Sequence, residues 1–83
     1  METRVTVNGV EYTVLPLREE DIKPGTLLRE VFTRRAHRIA CLDDGDVILR
    51  NMRYPEKCEV MSYDEIFKFC NKIVLSSEHE AQE

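Results

Sequence analysis

Residues 27–42 read Leu-Leu-Arg-Glu-Val-Phe-Thr-Arg-Arg-Ala-His-Arg-Ile-Ala-Cys-Leu, and they decide the fold, because they can be read as one helix or as two strands. Wound as a helix, Leu27, Leu28, Val31, Phe32, Ile39 and Ala40 make a broad apolar face, but Arg35 falls inside it. Laid out as strands, a segment over 27–32 and another over 37–42 flank a bend at Thr33 to Ala36. Val31, Phe32, Thr33, Ile39 and Cys41 favour that extended form. The residues that follow tip the balance. Asp43-Asp44-Gly45-Asp46 is a short acidic turn and Val47 to Met52 is strand-like, so 38–51 reads as a hairpin. Two strands are therefore the expectation, with a helix at about 27–41 as the alternative.

Outward toward the N-terminus, Val5 and Val7 alternate with polar residues, Asn8-Gly9 follows, and Val10, Tyr12 and Val14 alternate again. Asn-Gly suits a two-residue turn in which both positions need positive φ, so residues 4–15 form a hairpin. Pro16 ends the second strand. Leu17 to Thr26 is a polar connector in which Pro24-Gly25 fits the middle of a type II turn.

Outward toward the C-terminus, Tyr54-Pro55 breaks the chain and Cys58 to Met61 reads as a short strand. Ser62-Tyr63-Asp64-Glu65 is a capping box, and Met61 and Ile66 fit a hydrophobic staple across it. Ile66, Phe67, Cys70, Ile73 and Val74 then make one stripe at helical spacing. Acidic residues at the start and Lys72 near the end suit the helix dipole. These features predict a closing helix at about 63–74 and, beyond it, a flexible acidic tail over 76–83. The expected fold is α+β, mostly β: a small SH3-like or OB-like partly open barrel of five to six short strands with one C-terminal amphipathic helix, all within a single domain over 1–75.

The chain has 83 residues and no tryptophan, with 42% hydrophobic residues, enough to argue against wholesale disorder. A chain this short buries only about 60–65% of its unfolded surface, so its core is thin, and a partner or a homodimer would add burial. The N-terminal stretch has no apolar core of the signal-peptide kind, and three cysteines is an odd number. Together they read as reduced thiols in a cytoplasmic protein. No apolar run approaches the ~20 residues needed to span a bilayer, so no membrane is expected.

The feature that asks for a function is the arginine group. Arg34, Arg35, His37 and Arg38 fall within five positions, and Arg29, Arg50 and Arg53 can join them across a sheet. The planar guanidinium fork suits carboxylates and phosphates. Tyr54 beside Arg53 is the kind of pair that anchors a protein interface. The plainer reading is a set of solvated side chains balancing Asp43, Asp44, Asp46 and the acidic ends. A net charge of −4 weighs against a general nucleic-acid binder, and no aromatic residue interleaves within 33–38 to stack bases.

No catalytic set, phosphate loop or cofactor motif emerges. His37 and Cys41, with Cys58, Cys70 and His79, are the available zinc ligands. Four apart on a strand, His37 and Cys41 would stand ~13 Å apart, too far to share an ion, though on a helix they could. With no paired CxxC or CxxxC knuckle, no metal site is expected. The resulting expectation is a non-enzymatic protein–protein interaction module, acting alone or as an accessory or inhibitory subunit. It would use the arginine surface or the acidic ends. A small-barrel DNA- or RNA-binding protein using the same arginines is the alternative.

Overall fold

The computed structural model describes residues 3–81, with side chains placed through residue 79. Seven strands form one antiparallel sheet: β1 (Thr3–Val7), β2 (Val10–Leu15), β3 (Leu27–Glu30), β4 (Ala36–Asp43), β5 (Asp46–Asn51), β6 (Cys58–Ser62) and β7 (Cys70–Leu75). Their order across the sheet is β1-β2-β7-β3-β4-β5-β6, and it is not closed by pairing of β1 with β6. Two short α-helices, α1 (Tyr63–Phe69) and α2 (Ser76–Ala81), and one 3-10 turn at Glu19–Asp21 complete the described residues.

The hairpins form where the turn residues place them. Asn8 and Gly9 take φ of 51° and 79°, and Asp44 and Gly45 take 44° and 91°, the pair of positive values that a tight hairpin turn needs. Leu27–Glu30 and Ala36–Asp43 are extended, which settles the ambiguity of 27–42 in favour of strands. The first strand stops at Glu30, however, and Val31 to Arg35 form a tight turn. Glu30 N–H donates to Arg35 O at 2.8 Å there, and Arg34 N–H donates to Glu30 O at 3.0 Å. Arg34 pays for the reversal with a φ of 64°.

The closing helix predicted over 63–74 is corrected. Its start is as expected: Ser62 Oγ accepts from Glu65 N–H while Glu65 Oε1 accepts from Ser62 N–H. It ends at Phe69, where Cys70 turns extended at φ −122° and ψ 150°. Residues 70–75 become β7, the strand between β2 and β3, pairing Val14 with Ile73 on one side and Leu27 with Ile73 on the other. Ile66 and Phe67 of the apolar stripe stay in α1, while Cys70, Ile73 and Val74 belong to a strand covered on both faces. Cys70 and Ile73, three apart, enter opposite cores. Two flanking strands with open backbone edges outweigh a local pattern that suits either state.

The tail is also corrected. Ser76 is buried, its hydroxyl 2.9 Å from that of Thr13, and α2 runs on to Ala81. Residues 82–83 of the expected acidic tail lie outside the described residues. The seventh strand, β7, is the one beyond the five or six read from the sequence.

Alternation along the strands builds two cores. On one face Leu28, Ile39, Val47, Leu49 and Cys70 pack with Ile66 of α1 and Ile22 of the connector. On the other, Tyr12, Ala36 and Ile73 pack with Val5, Val14, Leu27 and Met52, which puts the first hairpin against the sheet. The sheet therefore curls on itself. The Asn8 side chain donates to the Met52 carbonyl at 3.0 Å, so the turn of the first hairpin touches the end of β5. No helix among the described residues is long and apolar enough to cross a membrane.

Candidate functional site

The curl leaves a cleft of about 650 Å³ between the β1–β2 turn, the β3–β4 turn and the β5–β6 connection. Its basic side chains are Arg34, Arg35, Arg53 and Lys57, and its aromatic is Tyr54. The one carboxylate on the wall is Glu59, held by Arg35 at 3.4 Å. Arg34, Arg53 and Lys57 form no ion pair among the described residues. Three positive charges are thus left uncompensated around one cavity.

Each is placed by its backbone. Arg34 sits in the left-handed region at the corner of the β3–β4 turn. Asn51, at the end of β5, accepts from the backbone N–H groups of Arg53 and Tyr54 on its side-chain oxygen at 2.8 and 2.9 Å. That bracket fixes Arg53-Tyr54 as a rigid corner. The Tyr54 ring, 44% exposed, has the Arg53 guanidinium 5.4 Å and the Lys57 ammonium 5.2 Å from its centre. Cation–π attraction of this kind holds both charges near the ring while leaving them open to an anion.

Of the residues singled out from the sequence, Arg34, Arg35, Arg53 and Tyr54 meet in the cleft. Arg29, Arg38 and Arg50 do not line it. Arg38 and Arg50 stand directly opposite each other on β4 and β5, and Arg29 follows on β3 opposite Ala36. Like charges facing across a strand pair are unfavourable, and Arg50 is drawn off to the Pro55 carbonyl at 2.7 Å.

His37 is corrected more sharply. It is fully buried and cannot belong to an anion-binding surface. Its Nε2–H donates to Glu30 Oε2 at 2.7 Å, and Glu59 Oε2 lies 3.6 Å away. Sequence reasoning missed Lys57, Glu30 and Glu59. Lys57 and Glu59 follow the β5–β6 connection, whose path back to the arginines is set by the curl, and no local spacing signals it.

Beside the cleft the β3–β4 turn carries Phe32, 80% exposed, with its ring edge-on to Phe69 at 6.4 Å between centres. Val31 is exposed with it, and the turn is tied down by Val31 N–H donating to Phe69 O at 2.8 Å. Phe32 and Phe69 thus form an exposed apolar pair on a hydrogen-bonded turn.

No family model, curated protein or solved structure matches this chain.

Proposed function

We propose that the chain is a non-enzymatic interaction module that holds an acidic segment of a protein partner in the cleft, acting alone or as an accessory or inhibitory subunit. The observation that carries this reading is the convergence of Arg34, Arg53 and Lys57, none of them ion-paired among the described residues, on one cavity of a chain whose net charge is −4. Charges without partners on an otherwise acidic protein select for acidic ligands and raise their association rate more than they raise affinity. Arg34 and Arg53 offer planar forks for carboxylates, and Phe32 supplies an apolar anchor beside them.

Binding of DNA or RNA is the second reading, and the row Arg29, Arg38 and Arg50 favours it. Against it, the Tyr54 ring already carries two cations and is a poor platform for a base, and the net charge repels a long polyanion. Fluorescence anisotropy with a labelled Asp/Glu-rich dodecapeptide and with single- and double-stranded oligonucleotides separates the two. The peptide is expected to bind and the oligonucleotides to bind more weakly at equal salt. Tight oligonucleotide binding with a steep salt dependence would reverse the choice.

A further inference from the structure

We propose that Glu30, His37 and Glu59 form a binding site for a divalent transition-metal ion, with Zn²⁺ the ion its donor set suits. The proposal stands apart from the reading of the cleft and does not depend on what the cleft binds.

Three strands supply the ligands. Glu30 ends β3, His37 lies on β4 opposite Leu28, and Glu59 lies on β6 opposite Leu49. Residues facing one another across antiparallel pairs share a face, so all three side chains stand on the face that carries Leu28 and Leu49. Their donor atoms lie within 4.8 Å of one another.

Charge is the physical argument. Two carboxylates converge on His37 Nε2, Glu30 Oε2 at 2.7 Å and Glu59 Oε2 at 3.6 Å. The imidazole is wholly buried and the Glu30 side chain only 12% exposed. Arg35 reaches the far oxygen of Glu59, and no lysine or arginine among the described residues pairs with Glu30. Carboxylates withdrawn from water are normally paired with a cation or bound to a metal. His37 Nδ1 is buried without a partner. Arg35 balances Glu59, which leaves Glu30 without a lysine or arginine, and a metal on Nε2 would join Glu30, His37 and Glu59 through donor atoms that already lie within 4.8 Å of one another.

Geometry agrees. Zinc bonds of about 2.0–2.2 Å to nitrogen and oxygen put ligand atoms roughly 3–3.6 Å apart, so small side-chain rotations convert the observed triangle into a coordination face. One imidazole and two carboxylates suit zinc better than magnesium or calcium, which prefer oxygen alone. Glu59 lines the cleft, which gives the ion a path in and leaves its remaining positions to water. The Arg35 contact to Glu59 orients that carboxylate from behind, as outer contacts do at metal sites. The buried Nδ1, which has no hydrogen-bond partner among the described residues, limits the affinity.

The test uses untagged, chelator-treated protein. Titration calorimetry with ZnCl₂ should give one ion per chain. Co²⁺ should give visible absorption without a thiolate charge-transfer band. Glu59→Gln, at the most exposed of the three ligands, should weaken binding by about tenfold or more, and Glu30→Gln by at least as much. A Cys41→Ser/Cys58→Ser variant should bind as the parent does. No saturable binding up to about 100 μM Zn²⁺ would overturn the proposal. So would affinity unchanged by both glutamine variants, or binding lost with the two cysteines.

Discussion

The Asn8 side-chain amide donates to the Met52 carbonyl at 3.0 Å across 44 positions of sequence, and this bond holds the first hairpin turn against the end of β5. Together with the packing of Val5, Val7, Ala36 and Met52, it forms one wall of the cleft. Asn8→Gly keeps a residue suited to the turn's positive φ while removing the amide. The variant should lose on the order of 1 kcal/mol in urea unfolding, with the m-value unchanged. It should also bind the acidic peptide less tightly, since one wall of the cleft is released. Unchanged stability and unchanged affinity together would show that the tie does not shape the site.

The two face-specific roles of large apolar residues make a paired prediction. Ile73 is buried between β2 and β3, and Ile73→Ala should cost about 2–5 kcal/mol. Phe32 is exposed, and Phe32→Ala should change stability by under about 0.5 kcal/mol while weakening partner capture. Equal thermal destabilisation by the two substitutions would contradict the placement of both.

How much of this was legible in the sequence follows from what each signal measures. Asn8-Gly9 and Asp44-Gly45 demand positive φ, a local property, and both hairpins are where those pairs put them. The Ser62–Glu65 cap is local too, and it forms as read. Strand β7 was hidden because Cys70, Ile73 and Val74 fit a helix and a doubly buried strand alike, and only the flanking β2 and β3 decide between them. Arg34, Arg35, Arg53 and Tyr54 were visible as a charged and aromatic group. That they meet, and that Lys57 joins them while Arg38 and Arg50 do not, depends on the curl of the sheet. His37 looked like part of a basic surface because its neighbours are arginines, yet strand alternation turns it inward.

Cysteine chemistry follows from burial. Cys70 is buried, and burial, followed by the nearby negative charge of Glu30, pushes its thiol up to about 11. Cys41 and Cys58 are exposed. Brief iodoacetamide treatment of the native protein at neutral pH, read by peptide mass spectrometry, should modify Cys41 and Cys58 and spare Cys70, because the thiolate is the nucleophile. Rapid modification of Cys70 in the folded protein would contradict its position in the core.

The connector is fastened to β7 by Lys72 Nζ, 3.0 Å from Asp21 Oδ1. Burial alone would raise the Asp21 carboxyl. The hydrogen bond from Lys72, that from the Arg18 backbone N–H and the charges of both residues outweigh it and hold the carboxyl below its ordinary value of 3.8. A carboxyl lowered in the folded state adds stability above the unfolded value, and that stability is lost as the pH falls from 3.8 through the folded value. Asp21→Asn should therefore be less stable than the parent at pH 7, by about 1 kcal/mol, with the gap closing below pH 3.8. Urea unfolding across pH checks this, and a gap that stays constant down to the acid limit would rule out the ion pair as its source.

The central claim is that the cleft, and not the arginine row across β3 to β5, receives the acidic partner. Anisotropy titration of a labelled Asp/Glu-rich dodecapeptide against two charge-reversed variants tests it most directly. Arg34→Glu/Arg53→Glu should weaken binding by about tenfold or more, and Arg38→Glu/Arg50→Glu should leave it within about twofold of the parent. The opposite ranking, with full affinity retained when Arg34 and Arg53 are reversed, would contradict the account.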